Sequence, residues 1–115
     1  MSAITTHVLD TARGRPAAGV AIRLERLGED DDAPTVLGRG ETDRDGRLRD
    51  LLADGGPVRT GRYRLVFDTG AYFREQGIDA FYPEVAVVFE LRDGAQHYHV
   101  PLLLSPFGYS TYRGS

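Results

Sequence analysis

Three histidines, at positions 7, 97 and 99, are the residues of this 115-residue chain best suited to acid–base chemistry. Imidazole titrates near pH 6.5, so it can take and return a proton at neutral pH. All three fall on predicted strands, and the i, i+2 spacing of His97 and His99 puts both rings on one face. The rest of that face is Pro101, Leu103 and Ser105, which is too apolar for a strand facing water. Either another chain covers it or it lines a pocket. An isolated strand histidine is usually structural, but a pair on a partly apolar face favours function. Three imidazoles could also hold zinc with one position open to water. No Cys, Asp or Glu stands beside the pair, so a metal-free site ranks first.

A fixed cation is the second ingredient. Arg47 directly follows the turn dipeptide Asp45-Gly46, where a held guanidinium can bind or polarise a carbonyl oxygen. The surrounding Thr42-Asp43-Arg44-Asp45-Gly46-Arg47 resembles a calcium loop only superficially. The twelfth position from Glu41 is Leu52, where that loop needs a bidentate Glu. At the far end, Ser110-Thr111-Tyr112-Arg113-Gly114-Ser115 follows an apolar strand directly and is either a segment that reaches into a site or a frayed end. Other chemistries find no support. There is no cysteine, and all 14 basic residues are Arg, which excludes thiol nucleophiles and Schiff-base or P-loop lysines. No Gly-x-Ser-x-Gly elbow and no phosphate-binding glycine loop is present. The carboxylates lie mostly in loops, which makes a paired-carboxylate site weak.

The elements that must position these groups read as β. Apolar and charged fractions of 41% and 27% allow a folded core in a single domain spanning 1–115. Strands are expected at Ile4–Asp10, Val20–Leu27, Thr35–Glu41, a short piece from Arg47, Tyr63–Asp68, Glu84–Leu91, Gln96–Ser105 and Tyr109–Tyr112. Turns fall at Gly14-Arg15-Pro16, Asp45-Gly46, Gly55-Gly56-Pro57 and Asp93-Gly94, with a solvated loop tip at Glu29-Asp30-Asp31-Asp32. One helix, Tyr72 to Gln76, is expected to stop at Gly77. About eight short strands and one helix suit an all-β sandwich. Pro101 lacks an N–H, which predicts an edge or a bulge at that point. The net charge of −3 argues against nucleic acid. No apolar run approaches the ~20 residues of a membrane helix. The polar opening residues suggest no leader, hence the cytoplasm.

The sequence resembles the 5-hydroxyisourate hydrolases of the transthyretin-related family. The carrying pieces are Thr6-His7-Val8-Leu9-Asp10 with Gly14 and Pro16-Ala17, then Thr42-Asp43-Arg44-Asp45-Gly46-Arg47 and Phe81-Tyr82-Pro83-Glu84-Val85. The unbroken His97-Tyr98-His99-Val100-Pro101-Leu102-Leu103-Leu104-Ser105-Pro106 and the terminal Tyr112-Arg113-Gly114-Ser115 are the most specific. The resemblance implies a transthyretin-like sandwich of two four-stranded sheets with one short helix. It also implies a homotetramer, a dimer of dimers, with sites in the channel where dimers meet. The implied reaction is ring opening of 5-hydroxyisourate, the product of urate oxidation, at an amide bond, with no cofactor and no metal. The matching catalytic positions are His7, Arg47, His99 and Tyr112. Substrate contacts would come from His7, Arg47, Tyr112, Arg113, Gly114 and Ser115. His97 belongs to the motif without an assigned role.

Three other readings stand beside it. A transthyretin-like small-ligand carrier could use the same channel without catalysis, because one fold hosts many functions. A metal-dependent hydrolase could use all three histidines. A plain sandwich module could present the apolar strand face to a partner.

Overall fold

The computed structural model describes residues 3–28, 33–52 and 58–115. The expected loop tip at 29–32 and the break at 55–57 lie outside the described residues. Strand β1 (Ile4–Asp10) shows how the site is built. Ile4, Thr6, Val8 and Asp10 turn inward and are buried, which leaves Thr5, His7 and Leu9 on the opposite face. Strand β8 (Tyr98–Ser105) runs parallel to β1 and repeats the pattern, with Tyr98, Val100, Leu102 and Leu104 in the core.

The first sheet has the order β2-β1-β8-β9, where β2 is Arg15–Pro16 and β9 is Gly108–Thr111. A fifth piece, β5 (Arg47–Leu48), pairs with β1 off this path. This sheet therefore has one strand more than the resemblance implied. The second sheet has the order β4-β3-β6-β7, formed by Thr35–Glu41, Ala21–Arg26, Gly61–Phe67 and Val85–Leu91. Ile22, Leu24, Tyr63, Leu65, Phe67, Val85 and Val87 meet the inner face of the first sheet in one apolar cluster. Two sheets packed face to face in this way form a sandwich.

The helix α1 (Thr69–Glu75) starts earlier than the pattern suggested. The Asp68 side chain accepts from the Ala71 N–H and caps it, a start signal independent of apolar spacing. Its Tyr72 hydroxyl donates to the buried Asp10 at 2.8 Å and ties the helix to β1. Burial, then the Asp10 carboxylate, pushes the Tyr72 phenol up and keeps it a donor.

The two outer faces differ in kind. On the second sheet, the buried Glu25 accepts from Arg64 at 2.6 Å and Arg23 at 3.1 Å, so the charge there is paired. On the first, the face carries Thr5, His7, Leu9, His99, Pro101 and Leu103. No helix of the structure is long and apolar enough to cross a membrane.

Pro101 corrects one expectation. It sits in β8, an interior strand, not at a sheet edge. Thr111 pairs with Leu102 and Gly114 bridges to His99, so the register sets Tyr112 opposite Pro101. That is the step at which β9 leaves the ladder. A proline cannot donate there, so the neighbouring chain lifts away for two residues. The Thr111 hydroxyl donates to the Pro101 carbonyl at 2.7 Å and closes the gap on the acceptor side.

Candidate active site

The parallel register of β1 and β8 sets Thr5 beside His99 and His7 beside Pro101. On the other side of β1, His7 pairs with Arg47 of β5. His7, His99 and Arg47 therefore come together on the outer face of the first sheet, although the sequence separates them by up to 92 positions. His97 lies just before β8 rather than on it, and its ring stacks near that of His99 with centroids 6.4 Å apart.

Arg47 is held by its turn. Asp43 accepts from the Asp45 and Arg47 N–H groups at 2.9 and 3.0 Å, and Gly46 N–H donates to the Asp43 carbonyl. These bonds, the one from Arg47 foremost, lower the Asp43 carboxyl and keep it ionised. Gly46 has φ +77°, and a Cβ there would lie 2.3 Å from the Val8 carbonyl oxygen. Only glycine fits, and its own carbonyl accepts from Val8 N–H at 2.7 Å, which docks the turn on β1.

The turn also orients His7. His7 Nε2 is 2.8 Å from the Asp45 carbonyl oxygen. A carbonyl only accepts, so Nε2 carries the proton and Nδ1 is left with the lone pair. His99 is held from the opposite nitrogen, with Nδ1 2.8 Å from the Thr5 hydroxyl. Burial, followed by the Arg47 guanidinium and then the rings of His97 and His7, lowers the His99 pKa below its ordinary value. His99 is thus a neutral imidazole at neutral pH.

The C-terminal segment divides. Gly114 N–H donates to the His99 carbonyl at 2.8 Å. A Cβ on Gly114 would lie 2.6 Å from His99 Cδ2, so this glycine lets the tail lie against the ring. With His99 as the reacting group of the proposal made below, Gly114→Ala is expected to lower kcat about tenfold or more by displacing the ring. An unchanged kcat with an unchanged melting temperature would show that the ring tolerates the shift. Arg113 turns elsewhere: its guanidinium lies 4.4 Å over the Tyr98 ring and donates to Gln96 at 3.0 Å. Tyr112 is more than half exposed. Among the described residues no hydrogen bond joins it to His7, Arg47 or His99. Tyr112 and Arg113 instead border a cavity of about 580 Å³ at the open edge between β7 and β9, with Val87, Phe89, Tyr98 and Val100. Ser115 follows Gly114 as the last residue and is exposed.

Sequence reasoning missed Thr5. Its position two residues before His7 on a strand was a usable signal, because i and i+2 share a face. Among the described residues no three His, Cys, Asp or Glu side chains are grouped to hold a metal ion.

A family model described as HIUase/Transthyretin matches residues 4–114. The chain belongs to this family. It is 51% identical over 116 residues to "5-hydroxyisourate hydrolase 2" of Rhizobium meliloti strain 1021, covering 97% of this chain and 95% of the relative. It is 48% identical over 114 residues to the Mus musculus protein called 5-hydroxyisourate hydrolase, covering 99% and 96%. Among solved structures, Klebsiella pneumoniae 5-hydroxyisourate hydrolase superposes with a TM-score of 0.85 at 36% identity, with both chains fully covered. Sea bream transthyretin in complex with thyroxine gives 0.88 at 35% identity, covering 96% of this chain and 93% of that one. The family therefore joins proteins of both names, and its sandwich is the fold described above.

Proposed function

We propose that this protein hydrolyses 5-hydroxyisourate, opening the six-membered ring at an amide bond, with residues 1–115 acting as one catalytic domain. The observation that carries the reading is the placement of His7, His99 and Arg47 side by side on one sheet face. The relatives' names, at about half identity over nearly the full chain, supply the substrate.

In this mechanism water is the nucleophile and no metal takes part. His99 Nε2 takes the water proton as its oxygen bonds to the amide carbon. His7, whose Nδ1 is free, orients that water. Arg47 binds the carbonyl oxygen and stabilises the charge that builds there in the tetrahedral species. As the C–N bond breaks, His99 returns its proton to the leaving nitrogen. Tyr112 closes over the ring and Gly114 and Ser115 shape its rim, whereas Arg113, held on Tyr98 and Gln96, would reach the ring only by leaving them.

The chain works as a homotetramer, a dimer of dimers, in this reading. The partly apolar face bearing Leu9, Pro101 and Leu103 is the surface a second dimer would cover. Tyr112, exposed in the protomer, would complete the site in the assembly.

The test is direct. Protein is added to freshly oxidised urate, and the absorbance decay is compared with a protein-free control, before and after dialysis against a chelator. A large acceleration that survives dialysis is expected. A decay matching the control refutes the hydrolase. Loss on dialysis refutes the metal-free route.

The reading fixes a pH dependence. The base must be neutral, and a lowered His99 pKa keeps it neutral as the pH falls. The acid limb of kcat/KM, which reports the free enzyme, is therefore expected below pH ~6.5. A limb at or above that value contradicts His99 as the base.

The edge cavity favours a second reading, a small-ligand carrier. Apolar and aromatic side chains, among them Val87, Phe89, Tyr98 and Val100, make up half of its lining, and the thyroxine-bound sea bream transthyretin shares the fold. A carrier has no need of two oriented imidazoles and a guanidinium, which is why hydrolysis is preferred.

A further inference from the structure

One hydroxyl stands between two imidazoles. Thr5 Oγ1 lies 2.8 Å from His99 Nδ1 and 3.0 Å from His97 Nε2, and Thr5 is buried. A hydroxyl has a single proton, so it cannot donate to both rings. It could accept from both rings only by leaving its own buried proton without an acceptor among the described residues, so it donates to one and accepts from the other, which ties the two tautomers together.

Two arrangements satisfy all three groups. In the first, His97 Nε2–H donates to Thr5, and Thr5 donates to His99 Nδ1. His99 then carries its proton on Nε2 and has no lone pair on the nitrogen that faces away from Thr5. In the second, His99 Nδ1–H donates to Thr5, and Thr5 donates to His97 Nε2. His99 Nε2 then holds a lone pair. Only the second supplies a base, and only it survives protonation of His99, because imidazolium donates from both nitrogens.

We infer that Thr5 is a positioning residue, and that the chain His99 Nδ1–H to Thr5 Oγ1–H to His97 Nε2 holds His99 in the tautomer that leaves Nε2 free. This gives His97 its role as the terminal acceptor, which accounts for a second histidine that pairs with no substrate-facing group. The inference rests on the hydrolase reading for its catalytic consequence, but the tautomer belongs to the resting protein. Thr5 does not touch the substrate in this account.

The same logic sets the variants. Thr5→Val keeps shape and volume and removes the hydroxyl. Thr5→Ser keeps the hydroxyl. In Val, His99 Nδ1–H loses its acceptor, and the proton redistributes toward Nε2.

The experiment is long-range ¹H–¹⁵N NMR of the imidazole rings in the substrate-free protein, with kcat and KM for 5-hydroxyisourate measured in parallel. Wild type and Thr5→Ser are expected to show His99 protonated at Nδ1 and His97 accepting at Nε2. Thr5→Val is expected to gain the Nε2–H form of His99 and to lose tenfold or more in kcat, with KM changed less than threefold. A wild-type His99 protonated at Nε2 overturns the inference whether or not the variants fold. So does a Thr5→Val protein that keeps both the tautomer and kcat. If the tautomer moves as expected but no variant, wild type included, speeds substrate decay, the hydrolase reading fails and the Thr5 relay stands.

Discussion

His99→Asn is expected to lower kcat by roughly 100-fold or more, the usual scale of a general-base contribution. That is about 2.7 kcal/mol of transition-state stabilisation. Asn retains a polar group near the ring position but cannot carry a proton away from water. The backbone bond from Gly114 to the residue 99 carbonyl does not depend on the side chain, so the terminal segment should stay docked. KM should change little, because the loss falls on the chemical step. Stopped-flow absorbance under saturating substrate measures it. Unchanged turnover removes His99 from the mechanism and leaves His7, whose Nδ1 carries the lone pair, as the candidate base.

Arg47→Gln is expected to cost 100-fold to 1000-fold in kcat, the range seen when one donor to a developing oxyanion is removed. The side chain sits on a turn that the backbone holds by itself, through Asp43 and Gly46, so the fold should survive. The substitution has a second signature. Arg47 is the largest charge that lowers the His99 pKa, after burial. Without it His99 becomes easier to protonate, and the acid limb of kcat/KM should move to higher pH. A smaller kcat with an unmoved limb would place Arg47 near the substrate but away from His99.

Much of the positioning was legible from residue order. β1 runs from Ile4 to Asp10 as its alternation required, and β4 from Thr35 to Glu41. The same period-two rule put His7 with Leu9 and His99 with Pro101 and Leu103, strand by strand, whereas the parallel pairing that joins the two faces was not in the pattern. What the pattern left out has local physical causes. The two-residue strand β2 is too short for periodicity and reads as a turn, whereas the short piece expected from Arg47 is β5, held because the Asp45-Gly46 turn docks on Val8. The helix begins at its Asp68 cap rather than at its first aromatic. Pro101 reads as an edge or a bulge, yet the gap it needs is made by the terminal segment lifting off an interior strand.

At the site, the histidines and Arg47 were legible by type, whereas their contacts were not. Nothing in the spacing says that the Asp45 carbonyl sets the His7 tautomer or that Thr5 lies between two rings. Both depend on pairing between segments some 40 to 95 positions apart. The tail shows the same division: Gly114 rests on His99, while Arg113 stacks on Tyr98 at the edge cavity.

The most direct measurement is where a purine-derived ring binds. Urate carries the ring system without the hydroxylated carbon that makes the substrate labile, so it can be held for a crystal structure of the assembled protein. The ring is expected on the outer face of the first sheet, with a carbonyl oxygen on the Arg47 guanidinium and an ordered water within hydrogen-bond reach of His99 Nε2. Urate lodged in the cavity between β7 and β9, with His7, His99 and Arg47 untouched, would contradict the account.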